Sequence, residues 1–206
     1  MTNSSSKPAV TYVVSAYDRP QSLRMTLASL QCQTDHDFEV IVADNNPDLR
    51  YCDNMYMTHD MRDSRFRYMN TSRVFDVLRD CYWSAEWVVE NHAKGEFFCF
   101  PSDDSYYVPV FQETLLKAAR EFDFQLCFCD MLYDRRIGGR YSVLDVQPVS
   151  CAIDKTGFLI RRDVWIGFPT KPTELRSSCA DGEMIAEVVR RGARHGKVAE
   201  CLVCHN

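Results

Sequence analysis

Apolar residues fall along this chain in two alternating rhythms: short unbroken runs rich in β-branched residues, and longer stretches with apolar positions three or four apart. The first rhythm marks strands buried on both faces, and the second marks helices with one face on a core. Residues 10–16 (VTYVVSA) read as the first strand. Asp18, Arg19 and Pro20 break it, and Pro20 suits the first turn of a helix whose Leu23, Leu27 and Leu30 share one face. A polar turn over residues 34–37 leads to a strand at 38–43 that ends at Asp44, followed by Asn45, Asn46, Pro47 and Asp48 as loop. Residues 66–69 give a short third strand, and 81–93 a helix with Trp83, Trp87 and Val88 turned inward. Gly95 stops that helix, and a fourth strand at 96–100 runs into Pro101-Ser102-Asp103-Asp104-Ser105. A helix at 110–121, a strand at 125–132, a turn at Gly138 and Gly139, a helix at 184–191 and a last strand at 198–203 follow. Strands alternating with helices predict one α/β domain with a mostly parallel central sheet flanked by helices. No internal repeat, low-complexity tract or linker interrupts the pattern.

Composition narrows the class. At 206 residues the chain is long enough for one domain with a sizeable core. The net charge of -5 argues against a nucleic-acid partner, because phosphate backbones select basic surfaces. No apolar run reaches the roughly 18 residues of a membrane span. Residues 1–8 are polar and Ser-rich, without the apolar core of a secretory signal, and read as a disordered lead-in to a domain over 9–206. The ten cysteines are scattered, and Cys99, Cys127 and Cys129 sit inside apolar stretches. They read as small buried hydrophobes in a reducing, cytoplasmic compartment, with no disulfide framework. Cys201, Cys204 and His205 match the C-x-x-C-H signature of covalent haem attachment. A buried terminal strand accounts for them better, since no export signal is present and no chain follows to wrap a haem.

Candidate chemistry gathers at strand ends. In open α/β sheets ligands bind at the carboxyl ends of strands. Three predicted strands end there in acidic residues: the first at Tyr17-Asp18, the second at Asp44, the fourth at Asp103-Asp104. One such aspartate alone would be a turn or cap residue; three at one edge point to a shared polar site. Adjacent carboxylates repel, so one is raised in pKa unless a cation neutralises them. A hard divalent ion does that and also bridges phosphates. No glycine-rich phosphate loop of the P-loop or dinucleotide kind occurs, which leaves phosphates to a metal and to arginines such as Arg73 or Arg79.

Taken together, residues 13–20 (VVSAYDRP), 27–33 (LASLQCQ) with 37–44 (DFEVIVAD), and 95–104 (GEFFCFPSDD) resemble family-2 glycosyltransferases, in a variant similar to the spore-coat polysaccharide enzymes. The resemblance covers nearly the whole chain. It implies a GT-A-type fold, with a Rossmann-like nucleotide-binding half over about 9–105 and an acceptor-side half over about 106–206. It implies an inverting transferase that moves a sugar from a UDP- or dTDP-linked donor to a glycan or other hydroxyl acceptor, with Mn²⁺ or Mg²⁺, in polysaccharide or glycan synthesis. Ala16, Tyr17, Asp18 and Arg19 fall in its nucleotide-binding turn, with Tyr17 packing on the base and Asp44 bonding the base edge. Asp103 stands at the ribose position and Asp104 at the metal and diphosphate position; Ser105 departs from the acidic or amide residue usual there. His205 matches a late metal-ligating histidine. Asp181 matches the catalytic base, with Glu183 the alternative two residues on. A carboxylate there can take the proton of an attacking hydroxyl. The chain ends one residue past His205, short for such enzymes, so an excised domain of a longer protein is one reading. A catalytically silent nucleotide-sugar-binding module and a sugar-phosphate nucleotidyltransferase are the alternatives; the latter class carries a glycine-rich loop where this chain has Tyr17-Asp18-Arg19.

Overall fold

The computed structural model describes residues 7–47, 53–72, 81–135, 140–150, 152–168 and 179–206. Its strands, in chain order, are β1 (Val10–Ala16), β2 (Phe38–Asp44), β3 (Phe66–Asn70), β4 (Phe97–Cys99), β5 (Ser105–Tyr107), β6 (Leu126–Arg135), β7 (Arg140–Leu144), β8 (Phe158–Arg161) and β9 (His195–His205). The helices are α1 (Pro20–Gln31), α2 (Asp53–Asp60), α3 (Cys81–Asn91), α4 (Phe111–Glu121) and α5 (Ala180–Arg190). All nine strands join one sheet in the order β3-β2-β1-β4-β8-β6-β9-β5, with β7 added to β6.

The sheet is mixed rather than mostly parallel. From β3 through β4 every neighbour is parallel. Beyond β4 the pairings with β8, of β8 with β6 and of β9 with β5 are antiparallel, and only β6–β9 is parallel. The short β8, between β4 and β6, and the short β5, at the sheet edge against β9, carry this reversal. Every residue of β1 and β2 is buried, as a parallel strand covered by helices on both faces requires. Leu23, Leu27 and Leu30 of α1 are completely buried, each contributing about 1.5–3 kcal/mol of transfer free energy. In α3 the buried face is Ser84, Ala85, Val88 and Val89, so Val88 points inward while Trp83 and Trp87 stay half-buried at its margin. The expected turn at Gly138 and Gly139 lies outside the described residues.

The expectation of uniformly reduced cysteines is corrected at one position. Cys179, at the amino end of α5, is disulfide-bonded, and its partner lies outside the described residues. Scattered spacing gave no hint of it, because pairing depends on which loops the fold brings together. Cys201 and Cys204 lie within β9 and form no disulfide, but this part of the strand is not the buried one expected, since Cys201 is exposed and Cys204 half-buried.

Candidate active site

Strand order reverses at β1, with β2 and β3 on one side and β4 on the other; such a reversal opens a crevice at the carboxyl ends of the strands. Here the chain beyond β4 closes back on β1. Ser15 N–H donates to the Pro101 carbonyl (2.9 Å), and Asp103 N–H donates to the Ser15 carbonyl (3.0 Å). A cavity of about 390 Å³ opens at this point, with Ala16, Tyr17, Arg19, Asn45, Asp103 and Lys155 in its wall. A larger cavity of about 650 Å³ lies at the other end of the strands, near Lys94 and Arg162. Arg162 there is spent on the carbonyls of Ala93 and Gly95, and the acids in that wall are Asp37, Glu96 and Asp163, whereas the Asp103 singled out by the sequence lines the smaller cavity.

The adjacent acids are both buried, and their cation comes from the protein. Arg19, half-exposed at the start of α1, bonds Asp103 through one guanidinium nitrogen and Asp104 through the other. Tyr17 N–H also donates to Asp103 (3.3 Å). Burial and the neighbouring Asp104 raise the Asp103 carboxyl, against the opposing pull of Arg19. One oxygen of Asp104, Oδ1, is buried without a hydrogen bond, and His205 Nδ1 lies 3.7 Å from it. The antiparallel β5–β9 register sets His205 opposite Ser105, whose hydroxyl is 3.3 Å from the same ring nitrogen. The other ring nitrogen is 3.9 Å from Asp154.

Asp44 ends β2 as expected, buried in a cradle the sequence did not reveal. It accepts from Asn46 N–H (3.0 Å), Asn54 (3.2 Å) and the Tyr68 hydroxyl (2.9 Å). Burial nevertheless holds its carboxyl above the usual range. Asn54 also donates to the Tyr17 carbonyl (2.9 Å), tying the two strand ends together. Asp18 is exposed beside them. Arg73 and Arg79 lie outside the described residues.

The two candidate bases separate cleanly. Asp181 is buried in the first turn of α5, and Glu183 is exposed. The Asp181 carboxylate accepts from the backbone N–H groups of Lys155 and Gly182 (both 2.9 Å). Burial, then Asp154, raise it to about 6. Lys155 stands between this acid and β1: its ammonium, in a side chain almost wholly buried, donates to the Ser15 hydroxyl (3.0 Å) and faces the Tyr82 ring at 5.3 Å. Sequence reasoning passed over Lys155, Asn54, Tyr68 and Asp154, which carry no motif.

Among the described residues no helix is long and apolar enough to cross a membrane, and no group of three or more His, Cys, Asp or Glu is placed to hold a metal. Neither models of known protein families nor curated protein sequences match this chain. Solved structures do. Staphylococcus aureus TarS superposes with a TM-score of 0.74 at 16% identity, over 96% of this chain and 36% of that one. TarS 1-349 in complex with UDP gives 0.73 at 16%, over 95% and 59%. The mannosyltransferase PcManGT from Pyrobaculum calidifontis, in complex with GDP-Man and Mn²⁺, gives 0.71 at 16%, over 97% and 57%. This chain thus spans about a third to three-fifths of the length of these proteins. At such identity the likeness speaks for architecture alone, and the chain has the α/β fold of these proteins, a mixed sheet flanked by helices.

Proposed function

We propose that this chain is an inverting, metal-dependent glycosyltransferase that moves a sugar from a nucleoside-diphosphate donor to a hydroxyl acceptor of a glycan. The observation that carries this reading is a strand-end crevice walled by Asp103 and Lys155, where Arg19 joins Asp103 to Asp104 and the Lys155 N–H holds a buried Asp181 whose carboxyl is raised to about 6. Structures of the same fold with UDP, with UDP-GlcNAc, and with GDP-Man and Mn²⁺ support a nucleotide-sugar donor.

The reaction asks little else of the protein. The acceptor oxygen bonds to the anomeric carbon as the bond from that carbon to the diphosphate oxygen breaks, its electron pair leaving with the diphosphate. The hydroxyl proton passes to Asp181, a carboxylate whose raised pKa suits a base working near neutrality. In this reading Tyr17 would pack on the nucleotide base, Asp44 would meet its edge and Asp103 would meet the ribose. The unpartnered Asp104 Oδ1 and the facing His205 would hold a divalent ion. When bound, such an ion neutralises the diphosphate; Mn²⁺ suits an imidazole ligand better than Mg²⁺.

A thermal-shift panel of UDP-, dTDP- and GDP-linked sugars tests the reading. A ligand at about 100 times its Kd adds about 2.7 kcal/mol, so a true donor with Mn²⁺ raises Tm by about 5–10 °C. No response to any nucleotide sugar, with or without metal, would refute a donor site.

A further inference from the structure

A dianionic leaving group entering this crevice meets acidic surroundings: Asp103 lines the cavity, Asp104 shares its arginine, and Asp154 and Asp181 lie near Lys155. Among the described residues that line the cavity, the cations are Arg19 and Lys155. Arg19 is committed to Asp103 and Asp104, one nitrogen to each. Lys155 is placed differently. Its backbone is fixed from two sides, the carbonyl accepting from Phe100 N–H (3.3 Å) and the N–H donating to Asp181 (2.9 Å). From there the side chain crosses the floor of the cavity to the end of β1, where the ammonium meets the Ser15 hydroxyl at 3.0 Å. An ammonium has three protons to donate; here Ser15 and Cys81 take hydrogen bonds, and Cys81, Asp154 and Asp181 favour the charged form against burial.

Position selects the partner. The base-edge residue Asp44 ends β2, whereas Lys155 precedes β8, which lies across the sheet with β1 and β4 between. It sits beside Asp181, which must stand next to the anomeric carbon. The phosphate nearest Lys155 is therefore the one bonded to the sugar. Resting on the donor-site reading above, we infer that Lys155 binds the sugar-side phosphate of the nucleoside diphosphate and takes up the charge left there when the glycosidic bond to the donor breaks. Ser15 orients the ammonium. The one contact links leaving-group stabilisation to Asp181, since the same residue's N–H holds the base.

The test compares a nucleoside diphosphate with the matching monophosphate by calorimetry, in Mn²⁺, on the wild-type chain and Lys155→Met. Loss of one charge-assisted contact predicts about 10- to 100-fold weaker diphosphate binding. Monophosphate affinity should stay within about threefold, because that ligand lacks the group Lys155 holds. Lys155→Gln, which keeps a donor toward Ser15 but not the charge, replaces the methionine variant if that one fails to fold, with the same expectation. Equal diphosphate affinity in wild type and variant overturns the inference while leaving the donor-site reading intact. An equal loss for both ligands, with a lowered Tm, reduces Lys155 to a structural ion-pair residue and also overturns it. A wild-type chain that binds no nucleoside diphosphate removes the donor site itself, and this inference with it.

Discussion

At Asp181 the neighbours divide into groups that oppose ionisation and groups that favour it. Burial and Asp154 push the carboxyl up, while two backbone N–H donors and Lys155 hold the charged form, and the balance lies at about 6. Only the ionised form can accept a proton. Activity should therefore fall as pH drops below about 6, tenfold per unit, instead of persisting to the usual carboxylate range near 4. Stability moves the other way: the folded state holds this proton more tightly than the unfolded one, so between about pH 4 and 6 rising pH reduces what Asp181 contributes. Asp181→Asn should lose about 10²–10⁴-fold in kcat with little change in donor Kd, and the acid limb of the rate profile should vanish. Glu183→Gln is the control. Its side chain is exposed, and steady-state kinetics should find it near wild type. The reverse result would move the base to Glu183.

Elements built on apolar runs were legible in the sequence, and those built on polar contacts were not. β1 and β2 stand where their β-branched runs put them, to within a residue. Helix α2 escaped notice because its buried positions are Asn54 and Thr58, four apart but polar. One of them holds the site, since Asn54 braces Asp44 and the Tyr17 carbonyl. β5 is three residues long, too short for a period, and only its pairing with β9 brings His205 to Asp104. Lys155 had no motif, and its role rests on contacts across 140 residues of chain to Ser15. Gly95, read in the sequence as a helix stop, lies past the end of α3 at Asn91 and has a different job. A Cβ there would lie 2.4 Å from the Thr11 backbone nitrogen and 2.7 Å from its hydroxyl, which accepts the Gly95 N–H. Backbone cannot yield as a side chain does, so Gly95→Ala should cost about 1–3 kcal/mol. Urea unfolding should show a lowered midpoint with unchanged m-value; an unchanged midpoint would mean that β1 and β4 pack more loosely than described.

For the whole molecule, the parallel half of the sheet and the mixed half contribute different things to one crevice. β1, β2 and the chain beyond β4 bring Tyr17, Asp44, Asp103 and Asp104; the entry to β8, helix α5 and strand β9 bring Lys155, Asp181 and His205. The donor would lie across the join, with its nucleoside on the first set and its sugar on the second. The orphaned Asp104 Oδ1 is where the proposed divalent ion would bind. Calorimetric titration of a nucleoside diphosphate, in Mn²⁺ and again in chelator, measures this directly. The account predicts at least tenfold tighter binding with the ion, about 1.4 kcal/mol, and loss of that difference in Asp104→Ala. Equal affinity in both conditions for the wild-type chain would contradict it.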